Sequence, residues 1–69
     1  MSDKVYKKIE IVGTSSKGYE DAIQHAIQQA RKTLKGLSWF EVAEMRGNLQ
    51  ASEIVYQVTV RVGFQVMED

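Results

Sequence analysis

Hydrophobic and polar positions along this chain change their period twice and divide it into four elements. Lys4 to Val12 alternates as a strand does. Val5, Ile9 and Ile11 share one parity with Lys7, and Tyr6, Lys8, Glu10 and Val12 share the other. Gly13-Thr14-Ser15-Ser16 then interrupts the alternation. Gly13 is expected to let the backbone turn there, and Ser15 or Ser16 to act as N-cap by accepting a bond from an orphan helix amide. From Lys17 to Lys35 the period becomes helical. Tyr19, Ala22, Ile23, Ala26, Ile27, Ala30 and Leu34 fall at i, i+3, i+4, i+7, i+8, i+11 and i+15, one apolar stripe over several turns. Glu20 and Asp21 near its start, and Arg31, Lys32 and Lys35 near its end, complement the helix dipole. Gly36 is the expected left-handed residue after it. The three alanines of the stripe let the helix lie close to a sheet.

Alternation returns at Leu37 to Met45, a second strand, and Gly47 to Ser52 reads as the turn that follows. Glu53 to Met67 is a long third strand. Ile54, Tyr56, Val58, Val60, Val62, Phe64 and Val66 form its apolar face, expected to pack on the helix stripe. Val55, Gln57, Thr59, Arg61, Gly63 and Gln65 form the other. As the longest and most apolar strand, the third belongs in the middle. Strands 2 and 3 form a hairpin, and strand 1 reaches strand 2 through the helix crossover. The fold class is therefore α+β: a β-α-β-β unit whose three-stranded antiparallel sheet has order 1-3-2, with one helix on one face.

The second sheet face carries the chemistry. If strand 2 pairs without a bulge, Trp39, Glu41, Ala43 and Met45 lie on it, while Phe40 and Val42 face the helix. A lone tryptophan on the polar face of a small sheet is either an interface anchor or a stacking platform. Gln57, in an otherwise β-branched strand, is either a solvated residue or a paired donor and acceptor suited to a heterocycle edge. Arg46 either pairs with Glu44 or holds a phosphate in its planar fork. Glu41 and Glu44 read as a solvated face, since no metal constellation accompanies them. His25 falls opposite the helix stripe and reads as exposed. Gly13 and its serines lack the spacing and lysine of a phosphate loop.

Composition narrows the choices. At 69 residues the chain is one domain, 1–69. A chain this short buries only about 60% of its unfolded surface and usually needs a staple. With no cysteine there is neither a disulfide nor a thiolate metal site, and with one histidine no histidine cage. Oligomerisation is the staple left. Nine basic and nine acidic residues balance to zero net charge, which argues against nucleic-acid binding through a broad positive field. Met-Ser-Asp-Lys is not followed by the apolar run of a signal peptide, and no stretch approaches the roughly 20 apolar residues of a membrane span. Cytoplasm is the simplest compartment.

Taken together, Val5-Tyr6-Lys7-Lys8, Val12-Gly13-Thr14-Ser15, Trp39-Phe40-Glu41-Val42, Arg46-Gly47, Tyr56-Gln57-Val58 and Val62-Gly63-Phe64 resemble the dodecins. The similarity spans essentially the whole chain. It implies a hollow homododecamer and the binding of flavins, riboflavin or FMN with FAD as a further candidate, in pairs at two-fold subunit contacts. It implies that Trp39 stacks on the isoalloxazine, that Gln57 bonds the ring's polar edge, that Arg46 lies near the phosphate end, and that Glu44 meets the ribityl chain. Some bacterial relatives also bind coenzyme A. By strict alternation, Glu44 and Arg46 share parity with Phe40 and not with Trp39. A common ligand then requires a bend or bulge in strand 2 or a subunit boundary, and the boundary is the expectation. The function expected is flavin storage, buffering and photoprotection without catalysis. A structural or adaptor oligomer is the alternative. A small tautomerase-like enzyme ranks last, because those use an amino-terminal proline and this chain has no proline.

Overall fold

The computed structural model describes residues 3–66. In chain order it has β1 (Tyr6–Ser15), α1 (Tyr19–Thr33), β2 (Leu37–Gln50) and β3 (Glu53–Gln65). The sheet order is β1-β3-β2 with both pairings antiparallel, as the pattern predicts. The end of the expected third strand, Met67, lies outside the described residues.

Helix α1 lies across β1 and β3. Its buried residues are Ala22, Ala26 and Ala30, and Ala22 and Ala26 form one cluster with Val58, Val60 and Val62 of the central strand. Ile9, Ile11, Tyr19, Ile23, Ile27, Leu34 and Leu37 close around them. Three methyl-sized side chains in a row let the helix axis approach the sheet, and Gly13 takes this furthest. A Cβ on Gly13 would overlap the Ala22 carbonyl oxygen and come within 2.9 Å of Ala26 Cβ. Gly13 therefore does not turn the chain. It lies inside β1 opposite Val58, and β1 runs on to Ser15, because the missing side chain is filled by helix backbone.

Two other local expectations are corrected. The residue before the helix is Gly18, with no side-chain cap, so neither Ser15 nor Ser16 is an N-cap. Ser15 instead accepts from the Lys17 amide at 2.9 Å and donates to the Asp21 carboxylate at 2.6 Å, tying the loop to the first helical turn. The hairpin turn is also later than Gly47. β2 continues to Gln50, which faces Glu53, and the turn is Ala51-Ser52 with Ala51 at φ 50°. Gly36, at φ 76°, does occupy the left-handed position after the helix.

The helix leaves β2 largely uncovered. On its helix side Phe40 is 49% exposed, Met45 52% and Leu49 82%, with Val42 and Ile54 beside them. The molecule measures 55 × 20 × 14 Å because the β2–β3 hairpin extends past the helix. Among the described residues no helix is long and apolar enough to cross a membrane.

Replacing Gly13 with alanine is expected to destabilise the protein by about 1–3 kcal/mol through overpacking. Gly18→Ala, where nothing lies within 4 Å of the new methyl, is the matched control. Denaturant titration followed by circular dichroism checks both. Equal midpoints for the two variants would contradict the packing assigned to Gly13.

Candidate functional site

Two bulges in β2 build the site. The first lies between Leu37, opposite Phe64, and Trp39, opposite Gly63. Ser38 is the surplus residue, so Leu37 packs toward the helix while Trp39 turns to the outer face. The second lies between Val42, opposite Val60, and Glu44, opposite Thr59. Here Ala43 is surplus. After it Met45 faces Val58 on the helix side, whereas Glu44 and Arg46 face Thr59 and Gln57 on the outer side. Ala43 and Met45 are thus not on the face of Trp39 as strict alternation predicts. Glu44 and Arg46 are on it, beside Glu41 and Gln57. The bulge alone resolves the parity conflict.

The residues gathered on this face are not all close together. Trp39 sits on the Gly63 rung and Gln57 with Arg46 six residues away along β3, a separation of about 20 Å at the strand rise. Between them lie the Arg61 and Thr59 rungs. One face of Trp39 rests on Gly63, where an added Cβ would overlap the indole carbons Cδ2, Cε2 and Cζ2. The tryptophan is 40% exposed, leaving a flat aromatic wall open. Glu44 accepts a long bond from the Thr59 hydroxyl at 3.5 Å. Arg46 pairs neither with Glu44 nor with any other described residue.

Alternation and motif spacing did not single out the ion network beside the tryptophan. Arg61 pairs with Glu10 at 2.9 Å and with Glu41 at 3.3 Å, and Lys8 pairs with the same Glu41 oxygen at 3.1 Å. Lys8 Nζ stands 5.7 Å from the centre of the Trp39 ring. The Lys8 ammonium first, and then the Arg61 guanidinium, hold the Glu41 carboxyl below its ordinary pKa. Glu10 and then Glu41 push the Arg61 guanidinium up. One signal in the sequence pointed here: a glycine, Gly63, inside an otherwise β-branched strand marks close approach of another group.

His25 is exposed, as expected. Its Nδ1 lies 3.0 Å from the Thr14 carbonyl and its Nε2 3.4 Å from Asp21. The Ser15 hydroxyl, and secondarily His25 and Lys17, lower the Asp21 pKa. A groove of about 590 Å³ runs between the β1 edge and α1, past Ile9, Ile11, His25, Ala30 and Leu34. It is largely apolar and remote from Trp39. A planar ligand needs a flat wall with polar groups at its rim, so the outer sheet face is the candidate site. Among the described residues no group of three or more His, Asp and Glu is placed to hold a metal ion.

The family model described as Dodecin matches residues 5–67. A dodecin of Thermus thermophilus is 56% identical over 66 residues, 94% of this chain and 96% of that protein. The solved structure of a dodecin from Streptomyces davaonensis superposes with a TM-score of 0.91 at 46% identity, covering 97% of this chain and all of that one. A calcium dodecin of Mycobacterium tuberculosis is 33% identical over 63 residues, 90% of this chain and 89% of its own.

The charge on Glu41 is expected to matter in acid. A depressed carboxylate contributes stability that is complete above its unfolded-state value, about 4.3, and is lost as pH falls through the lower folded-state value. Wild type should therefore melt higher than Glu41→Gln at neutral pH, and the gap should close as pH drops below about 4. Thermal melts across pH check this. A gap that is constant with pH would remove the network from the account of the site.

Proposed function

The chain belongs to the dodecin family, and on that premise we propose that it binds flavin between assembled subunits and stores it without turning it over. The observation that carries this reading is the indole of Trp39, laid on Gly63 with its outer side open, on the same sheet face as Gln57, Arg46 and Glu44. A flavin suits such a wall. Its three-ring system buries apolar area by offset stacking, worth roughly 0.5–1.5 kcal/mol per aromatic pair beyond the area term. The Gln57 amide offers a donor beside an acceptor, which matches a ring edge that also presents both. The Arg46 fork suits a terminal phosphate, so FMN is favoured over riboflavin, and Glu44 accepts from ribityl hydroxyls.

The span of the site argues for more than one copy. Trp39 and Gln57 of one chain stand about 20 Å apart along the strand, too far for one ring system to touch both. A ligand stacked on one subunit's tryptophan is read by the glutamine of another. The apolar helix-side stripe of β2, from Phe40 to Leu49, supplies the reason to assemble. Twelve copies around a hollow interior is the assembly we propose.

Bound flavin supplies a light-absorbing, redox-active ring. The chain's own residues stack it, pair with its edge, and exclude water from one side. An electron-rich indole in contact with the ring is also a quencher, which suits protection from light. The compartment proposed for such storage is the cytoplasm. Coenzyme A is a second candidate ligand, and so are riboflavin and FAD.

Adding FMN to apo protein is expected to quench flavin emission, and Trp39→Ala to remove most of that quenching. Arg46→Ala should weaken FMN about tenfold or more while changing riboflavin little, because only FMN carries the phosphate. Fluorescence titration measures both, with light scattering for the assembled mass. Flavin emission that is unchanged on mixing with the wild type would sink the reading and leave the structural oligomer in its place.

A further inference from the structure

We propose that Gly63 and Lys8 are positioning residues that hold the Trp39 ring ready for its ligand. The inference rests on the flavin reading, and it gives a role to two residues outside the expected set of Trp39, Gln57, Arg46 and Glu44. A tryptophan on an open sheet is free to change rotamer. A ligand that must first order it binds more weakly than one that meets a ring already in place.

Gly63 fixes the ring from below. It is buried in the central strand, flanked by Lys8 on β1 and Trp39 on β2. A Cβ there would overlap both ring-fusion carbons, Cδ2 and Cε2, and their neighbour Cζ2. The six-membered half of the indole thus lies directly over the glycine backbone. Even the smallest side chain would lift it off. The backbone needs no glycine at this position, since Gly63 does not lie in the left-handed region that Gly36 occupies. Close approach of the indole accounts for Gly63.

Lys8 holds the ring through a charge placed over it. Its ammonium lies within cation–π range of the indole, 5.7 Å from the ring centre. Glu41 holds that ammonium at 3.1 Å, Arg61 holds Glu41 at 3.3 Å, and Glu10 holds Arg61 at 2.9 Å. The charges alternate in sign from edge strand to edge strand, and the chain of contacts ends on the tryptophan. An exposed ion pair adds little to stability by itself. What the Lys8–Glu41 pair does is fix a cation over the indole.

Trp39 is the only tryptophan, so its emission reports on the ring directly. Time-resolved anisotropy of full-length apo protein measures its local motion, FMN titration measures affinity, and light scattering follows assembly. Lys8→Met keeps the length and removes the charge. It should increase the fast depolarisation of Trp39 and weaken FMN about 2–5-fold, the factor for an exposed cation–π contact. Lys8→Arg should restore both, because a guanidinium also stacks on aromatic faces. Gly63→Ala should displace the ring and weaken FMN about tenfold or more.

Wild-type depolarisation in apo Lys8→Met would overturn the role of Lys8, and so would a Lys8→Arg protein that behaves like Lys8→Met. An assembled Gly63→Ala protein with unchanged FMN affinity would overturn the role of Gly63. If Gly63→Ala does not assemble, the two Lys8 variants decide. A wild type that binds no flavin defeats the proposed function, and the apo anisotropy still tests the positioning.

Discussion

A single surplus residue, Ala43, decides what each face of this molecule is for. Before it, β2 presents Trp39 and Glu41 outward and Phe40 and Val42 toward the helix side. After it the parity of the chain is reversed while the division of faces is kept. Glu44 and Arg46 point outward, and Met45 and Leu49 join Phe40 and Val42. In a strand the side-chain period is two, so one extra residue exchanges every later side chain between faces. Sequence positions of opposite parity thereby share one wall, and the apolar positions form one unbroken stripe.

That stripe follows from a second constraint, the shortage of covering material. One helix of fifteen residues lies over three strands of ten to fourteen, and it sits on β1 and β3. Its alanines and Gly13 bring it so close to the sheet that it has little width left to cover β2. The result is a tight but narrow core of Ala22, Ala26, Val58, Val60 and Val62, with large apolar residues exposed beside it. A chain this small cannot leave such a surface wet and remain comfortably folded. The dodecin family, to which this chain belongs, forms homo-oligomers.

Much of this was legible in the residues. The helix stripe, the two faces of β3 and the sheet order follow from period alone, because a long amphipathic helix and a long alternating strand leave few arrangements. What was not legible lies where one residue departs from the period. Ser38 and Ala43 carry no bulge signature. Ala51 takes a positive φ without being glycine or asparagine, so the turn looked as though it began at Gly47. Gly13 read as a turn because a glycine's two uses, left-handed backbone and close approach, look the same in sequence. Only the helix above it tells them apart. Gly63 was read only as one position of the outer face, and nothing in the spacing said that Trp39 lies on it. The individual roles of Trp39, Gln57, Arg46 and Glu44 came from family resemblance. Their common face came from the structure.

The two bulges couple ligand wall and assembly surface more tightly than their separate faces suggest. Were Ala43 paired regularly and not bulged, Glu44 and Arg46 would enter the apolar stripe and Met45 would lie on the outer wall. Charges would then interrupt the apolar stripe, where burying one unpaired costs far more than an exposed pair returns. Outer wall and apolar stripe would be lost together. The same coupling explains why the wall can tolerate a half-exposed tryptophan. Its inner side is already held by Gly63, and its outer side stays open. The outer wall and the apolar stripe of this chain are thus two consequences of one strand's register.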